Sequence, residues 1–128
     1  MKREFTYPSR DGKSEIRAVE WLPEGKPKAV LQLCHGMCEF IDRYGPFAEY
    51  LAGKGFLVLG NDHLGHGGTA KSEADFGYFA DRDADLCLLE DMHALRKLGE
   101  EKAPGAPYFL LGHSMGSFLA RQYIARYG

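Results

Sequence analysis

Three short apolar runs constrain the fold of this chain more than any other feature: Ala29-Val30-Leu31-Gln32-Leu33-Cys34, Phe56-Leu57-Val58-Leu59-Gly60 and Tyr108-Phe109-Leu110-Leu111. Each has the length of a strand, and none shows the in–out alternation of a strand with one wet face. Nearly continuous apolar runs of this kind suit strands covered on both faces, as in a parallel sheet. Covering them takes helices, and the intervening sequence offers three. Pro46 is well placed as the first residue of a helix through about Leu51, with Gly53 and Gly55 stopping it. A second helix begins near Asp83, where Leu88, Met92, Leu95 and Leu98 fall on one apolar face. Phe118 to Ala125 reads as a third. Upstream, Glu4–Pro8 and Glu15–Leu22 read as strands. The Asp11-Gly12 pair between them favours a tight hairpin, because both residues tolerate positive φ. The expected fold is therefore α/β: a mostly parallel sheet with an N-terminal antiparallel hairpin and helices on both faces. A chain of 128 residues fits one domain, and no repeat, low-complexity tract or long linker divides it.

Composition removes several function classes. A formal net charge of -2 gives no electrostatic reason to expect nucleic acid, and no polybasic run suits an anionic membrane surface. The first ten residues carry basic side chains with no apolar core behind them, unlike a signal peptide. No stretch reaches the ~18 consecutive apolar residues of a membrane-spanning helix. Cys34, Cys38 and Cys87 are an odd number in a chain without an export signal, so reduced thiols in a cytoplasmic protein are expected.

The strongest chemical signal is Gly112-His113-Ser114-Met115-Gly116. It matches G-x-S-x-G, the nucleophile elbow, and lies between an apolar strand candidate and a helix-forming segment, as that motif requires. A turn so tight leaves no room for side chains at its flanks, hence Gly112 and Gly116. Ser114 then stands exposed above the strand end, with the N-terminus of the next helix aimed at the same spot. The competing reading is a serine that merely caps the last helix between turn glycines. A second signal upstream weighs against it: Leu33-Cys34-His35-Gly36-Met37 ends the first apolar run. Acyl transfer needs two N–H donors for the carbonyl oxygen as it becomes an oxyanion. One normally belongs to the residue after the nucleophile, here Met115. The other comes from the loop where His35 and Gly36 lead into Met37.

His35-Gly36-Met37-Cys38-Glu39-Phe40-Ile41-Asp42-Arg43-Tyr44 resembles the H-G-x-x-E-x-x-x-R-Y segment of monoacylglycerol lipases and bacterial lysophospholipase-like hydrolases. Asp62-His63-Leu64-Gly65-His66-Gly67-Gly68-Thr69 is similar to their D-x-x-G-H-G-x-S/T loop. With the elbow, three ordered motifs agree between residues 35 and 116. The resemblance implies the N-terminal part of an α/β-hydrolase fold, with Ser114 as nucleophile and the N–H groups of Met37 and Met115 as the oxyanion hole. His35, Gly36, Gly112 and Gly116 serve as structural elements of the loop and elbow. Phe40 departs from the family, which often has His there. The same branch contains serine aminopeptidase-like and esterase members.

In this fold the catalytic triad runs Ser, then Asp or Glu, then His. None of the fourteen residues after Ser114 is Asp, Glu or His. The expectation is that residues 1–128 form a partial domain lacking the lid, the triad acid and the base, and that this piece alone is inactive and poorly soluble. The reaction expected of the complete protein is hydrolysis of a carboxylic ester, of monoacylglycerol or lysophospholipid type, through an acyl-enzyme on Ser114. Its partner is then a small, lipid-like ester, and nothing in the sequence points to a metal or organic cofactor. Cys34-His35-x-x-Cys38 and His63-x-x-His66 offer five potential metal ligands in two loops, but their spacing is not a standard zinc pattern and Cys34 is expected to point into a packed layer. Two alternatives stand beside the ester hydrolase: a peptidase of the same fold, and a non-catalytic binding module with a vestigial elbow.

Overall fold

The computed structural model describes residues 1–36, 39–70 and 84–127. In chain order these form β1 (Lys2–Pro8), β2 (Glu15–Trp21), β3 (Ala29–Cys34), α1 (Gly45–Gly53), β4 (Phe56–Asn61), α2 (Ala84–Lys102), β5 (Tyr108–Gly112) and α3 (Met115–Tyr127). Short 3-10 turns cover Ile41–Tyr44 and Gly67–Thr69.

The five strands make one sheet in the order β1-β2-β4-β3-β5. β3 runs parallel to both β4 and β5, while β2 pairs antiparallel with β1 and β4. All three apolar runs thus become the parallel part of a mixed sheet, and the N-terminal pair lies along one side. Helices flank both faces. α1 packs with Ala48 and Ala52 against Val19, Leu31, Leu33 and Val58. On the other face Leu88, Met92 and Leu95 of α2, with Leu119 and Tyr123 of α3, cover Val30, Cys34, Leu57 and Leu59. The four-three spacing in α2 puts its leucines and methionine on one buried side, as amphipathic packing demands.

One local expectation is corrected. The hairpin between β1 and β2 is not a two-residue turn. Six residues, 9–14, connect the strands, and of the Asp-Gly pair only Gly12 has positive φ (80°). Asp11 instead accepts hydrogen bonds from the N–H groups of Lys13 and Ser14 and from the Ser14 hydroxyl. An aspartate that can bond its own turn in this way favours a wider loop. The run 108–111 is not covered on both faces by the described residues, in keeping with a partial domain. Among the described residues β5 pairs with β3 alone, and Phe109 remains 53% exposed on the face that α1 covers farther along the sheet. Phe118 and Ile124 of α3 are exposed beside it in sequence, at 63% and 60%.

Candidate active site

The parallel strands β3, β4 and β5 end on the same side of the sheet, and the loops that leave them carry the candidate residues. Ser114 sits between β5 and α3, is exposed, and has φ of 57°, so it alone among the described non-glycine residues occupies the left-handed region. That conformation turns the chain from strand to helix within two residues. It is held by hydrogen bonds from the His113 N–H to the Cys34 carbonyl, from the Gly116 N–H to the His113 carbonyl, and from the Ser117 N–H and hydroxyl to the Ser114 carbonyl. The flanking glycines are required by space. A Cβ on Gly116 would overlap the carbonyl oxygen of Cys34, and one on Gly112 would overlap that of Gly116. The elbow is therefore wedged between α3 and the end of β3. Met115 is the first residue of α3, so its N–H has no acceptor within the helix.

His35 and Gly36 leave β3 next to this elbow. Cβ at position 36 would come within 3.1 Å of Ser114 Cβ, which places the Gly36 backbone directly against the serine. The Gly36 N–H does not face solvent or a ligand: it donates to Glu39 Oε1 at 2.6 Å. Met37, the second expected oxyanion donor, and Cys38 lie outside the described residues.

His35 is fully buried and joins two loops. Its Nδ1 donates to the Gly36 carbonyl at 2.7 Å, and its Nε2 accepts from the His63 N–H at 3.0 Å. His63 Nε2 returns a bond to the His35 carbonyl at 3.1 Å. Burial lowers the pKa of both imidazoles, that of His63 well below its ordinary value, so they serve as neutral cross-links. Cys34 points into the α2 layer, 3.8 Å from Met92 Sδ, and burial pushes its thiol up to about 12. Among the described residues no group of three or more His, Cys, Asp or Glu side chains converges as a metal site would.

Asp62 explains the Asp62–Thr69 motif. Its buried carboxylate accepts from the Ile41 N–H at 2.7 Å, the Gly68 N–H at 2.9 Å and Arg17 at 2.9 Å. Gly67 has positive φ, and a Cβ there would run into that carboxylate. Arg17 on β2 also pairs with Asp42 at 2.9 Å and with Glu4. One carboxylate and one guanidinium thus tie the loops after β3 and β4 to the N-terminal hairpin. Sequence reading missed Arg17, because a lone arginine on a strand carries no signal of a partner 45 residues away.

Four of the five histidines have hydrogen-bond partners other than Ser114. His35 and His63 are turned into their loops, His93 bonds the Tyr123 hydroxyl, and His113 Nδ1 faces Glu39 at 3.4 Å.

Comparison with known proteins bears on the family and the fold. The family model described as serine aminopeptidase, S33, matches residues 25–128. Human monoglyceride lipase is 40% identical over 103 residues, spanning 78% of this chain and 31% of that protein. A monoacylglycerol lipase of Mycolicibacterium smegmatis is 34% identical over 107 residues, 84% of this chain and 36% of that one. The crystal structure of a thermostable carboxyl esterase from Bacillus coagulans superposes with a TM-score of 0.90 at 38% identity, covering 97% of this chain and 40% of that chain. The chain thus spans about a third of the length of the curated relatives it matches.

Proposed function

Because this chain belongs to the serine aminopeptidase (S33) family and has the α/β-hydrolase fold, we propose that it carries the nucleophile half of a serine esterase acting on monoacylglycerol- or lysophospholipid-type substrates. The observation that carries this reading is Ser114 itself: exposed, in the left-handed region, and backed by the Gly36 loop and the first turn of α3. In the proposed course the Ser114 hydroxyl attacks the ester carbonyl carbon, its proton passing to a base. The carbonyl oxygen takes the negative charge, held by the N–H groups of Met115 and Met37. Collapse expels the alcohol, which regains a proton, and leaves an acyl-enzyme that water hydrolyses. Each N–H donor stabilises the transition state by roughly 3–4 kcal/mol. The general base and its carboxylate partner are assigned to none of these 128 residues, since in this fold both follow the nucleophile and none of residues 115–128 is Asp, Glu or His. Residues 1–128 alone are accordingly proposed to be inactive.

The names of the relatives favour a lipid-like ester, whereas the family description keeps peptidase chemistry as a second reading. Among the described residues no helix is long and apolar enough to cross a membrane, and Cys34 is a free, buried thiol. A cytoplasmic location is part of the proposal. The test is a panel of monoacylglycerols, lysophospholipids, short esters and aminoacyl amides offered to the complete gene product. Fastest turnover on the monoacyl lipids, lost in Ser114→Ala, is expected; preference for the amides overturns the ester assignment.

A further inference from the structure

Ser114 immediately precedes α3, the position from which a serine ordinarily caps a helix. In that role its hydroxyl oxygen accepts the N–H of the second or third helical residue. Such a bond takes up a lone pair that a nucleophile needs and turns the oxygen onto the helix. Here those two N–H groups go elsewhere. That of Gly116 donates to the His113 carbonyl at 2.9 Å, and that of Ser117 to the Ser114 carbonyl, also at 2.9 Å. The Ser117 hydroxyl donates to the same Ser114 carbonyl at 2.7 Å. We infer that Ser117 is a positioning residue whose hydroxyl holds Ser114 by its carbonyl, keeping the nucleophile's own side chain out of the capping role. This inference rests on the hydrolase reading above.

Serines in helices often bond back to a carbonyl one turn earlier. This one differs in its acceptor, which belongs to the only described non-glycine residue in the left-handed region. A capping side chain needs extended backbone at its own residue, whereas Ser114 has φ of 57°. In that conformation Ser114 offers residue 117 its carbonyl, so each bond to that carbonyl favours the strained backbone over a relaxed one. The Ser117 backbone is itself held in place. A Cβ on Gly112 would come within 2.9 Å of Ser117 Cα, which sets the first turn of α3 against the end of β5. Gly112 is paired in turn with Cys34 of β3. The hydroxyl therefore ties the Ser114 carbonyl to a point anchored on two strands.

Removing the hydroxyl leaves that carbonyl with one bond from residue 117. The elbow can then relax towards negative φ, where the Ser114 hydroxyl takes the N–H of Gly116 or Ser117. The fold gains a cap and sheds strain while the nucleophile is withdrawn. Activity and stability are thus expected to move apart, which loss of a merely structural bond would not produce.

The test uses the complete gene product, with kcat and KM measured on a monoacylglycerol, the rate of fluorophosphonate labelling followed at Ser114, and the melting temperature recorded. Ser117→Ala is expected to lower kcat and the labelling rate roughly 3- to 10-fold, with KM within about twofold of wild type, because a displaced nucleophile weakens the transition state more than substrate binding. Its melting temperature is expected to equal or exceed that of wild type. Ser117→Thr keeps the hydroxyl and is expected to bring kcat back to within about twofold of wild type. A wild-type kcat in Ser117→Ala, or a kcat in Ser117→Thr as low as in Ser117→Ala, overturns the positioning role; with wild type labelled at Ser114, the hydrolase reading stands. A melting temperature that falls along with kcat in Ser117→Ala, or failure of that variant to fold, makes the bond a structural one and overturns the role as well. A wild type that does not label at Ser114 overturns both.

Discussion

Ser114 holds a φ of 57°, which costs a residue with a Cβ about 1–2 kcal/mol relative to glycine. Nothing about packing asks for a serine there, since the side chain is exposed and not buried in either core. The strain is offset by the bonds that fasten the elbow to Cys34 and by the fit of Gly116 against β3. Ser114→Gly is therefore expected to raise thermal stability by about 1 kcal/mol, measured by denaturant unfolding, while removing the hydroxyl. Gly116→Ala should do the reverse and cost ~3 kcal/mol or more, because its methyl would meet a backbone carbonyl that cannot rotate away. Both glycines of the elbow were legible in the sequence, since a motif that demands closeness names its own small residues. The service of Gly36 was legible only as loop chemistry. What presses on it, the Glu39 carboxylate and the elbow residue 113, involves a partner far along the chain that no local pattern reveals.

At the scale of elements, α2 is fastened to the N-terminal hairpin by Asp91. Its carboxylate accepts from the Ser9 hydroxyl at 2.8 Å and the Arg10 N–H at 2.7 Å, and its carbonyl accepts from the Tyr7 hydroxyl at 2.7 Å. Burial raises the Asp91 pKa to about 6 despite the opposing bonds from Arg10 and Ser9. The folded state thus binds this proton more tightly than the unfolded chain, whose aspartate titrates near ~3.9. Its contribution is fully present below the unfolded value and is lost as pH rises through about 6. Asp91→Asn removes that loss, so it is expected to be more stable than wild type by about 1–2 kcal/mol at pH 7, with the difference shrinking towards pH 4. Urea unfolding at the two pH values checks this, and a difference independent of pH would contradict it. The elements themselves were largely readable. The apolar runs gave three strands and the four-three spacing gave α2, because those patterns are the direct imprint of burial. The width of the β1–β2 loop was not, since Asp11 chose to bond its own turn rather than adopt positive φ. Nor was the Arg17–Asp62 link, whose partners lie on separate elements.

Across the whole molecule, burial is uneven. Burial is concentrated in β2, β3 and β4, whereas Phe109 of β5 and Phe118 and Ile124 of α3 are exposed, and the outer edge of β5 has no strand partner among the described residues. An open edge bordered by aromatic side chains is a template for pairing with another chain. Residues 1–128 expressed alone are expected to self-associate, and light scattering should show Phe109→Glu to be less aggregated. A stable wild-type monomer would contradict this. A run such as 108–111 reports that both faces are dry in a whole domain without saying which segment dries them, and its exposure in residues 1–128 is in keeping with the partial domain read from the sequence.

The account turns on whether the oxygen of Ser114 is an acyl-accepting nucleophile. Treating the complete gene product with a fluorophosphonate and sequencing the modified peptide by mass spectrometry tests that most directly. The account predicts a single adduct on Ser114, absent in Ser114→Ala; an adduct on another residue, or labelling that survives the substitution, would contradict it.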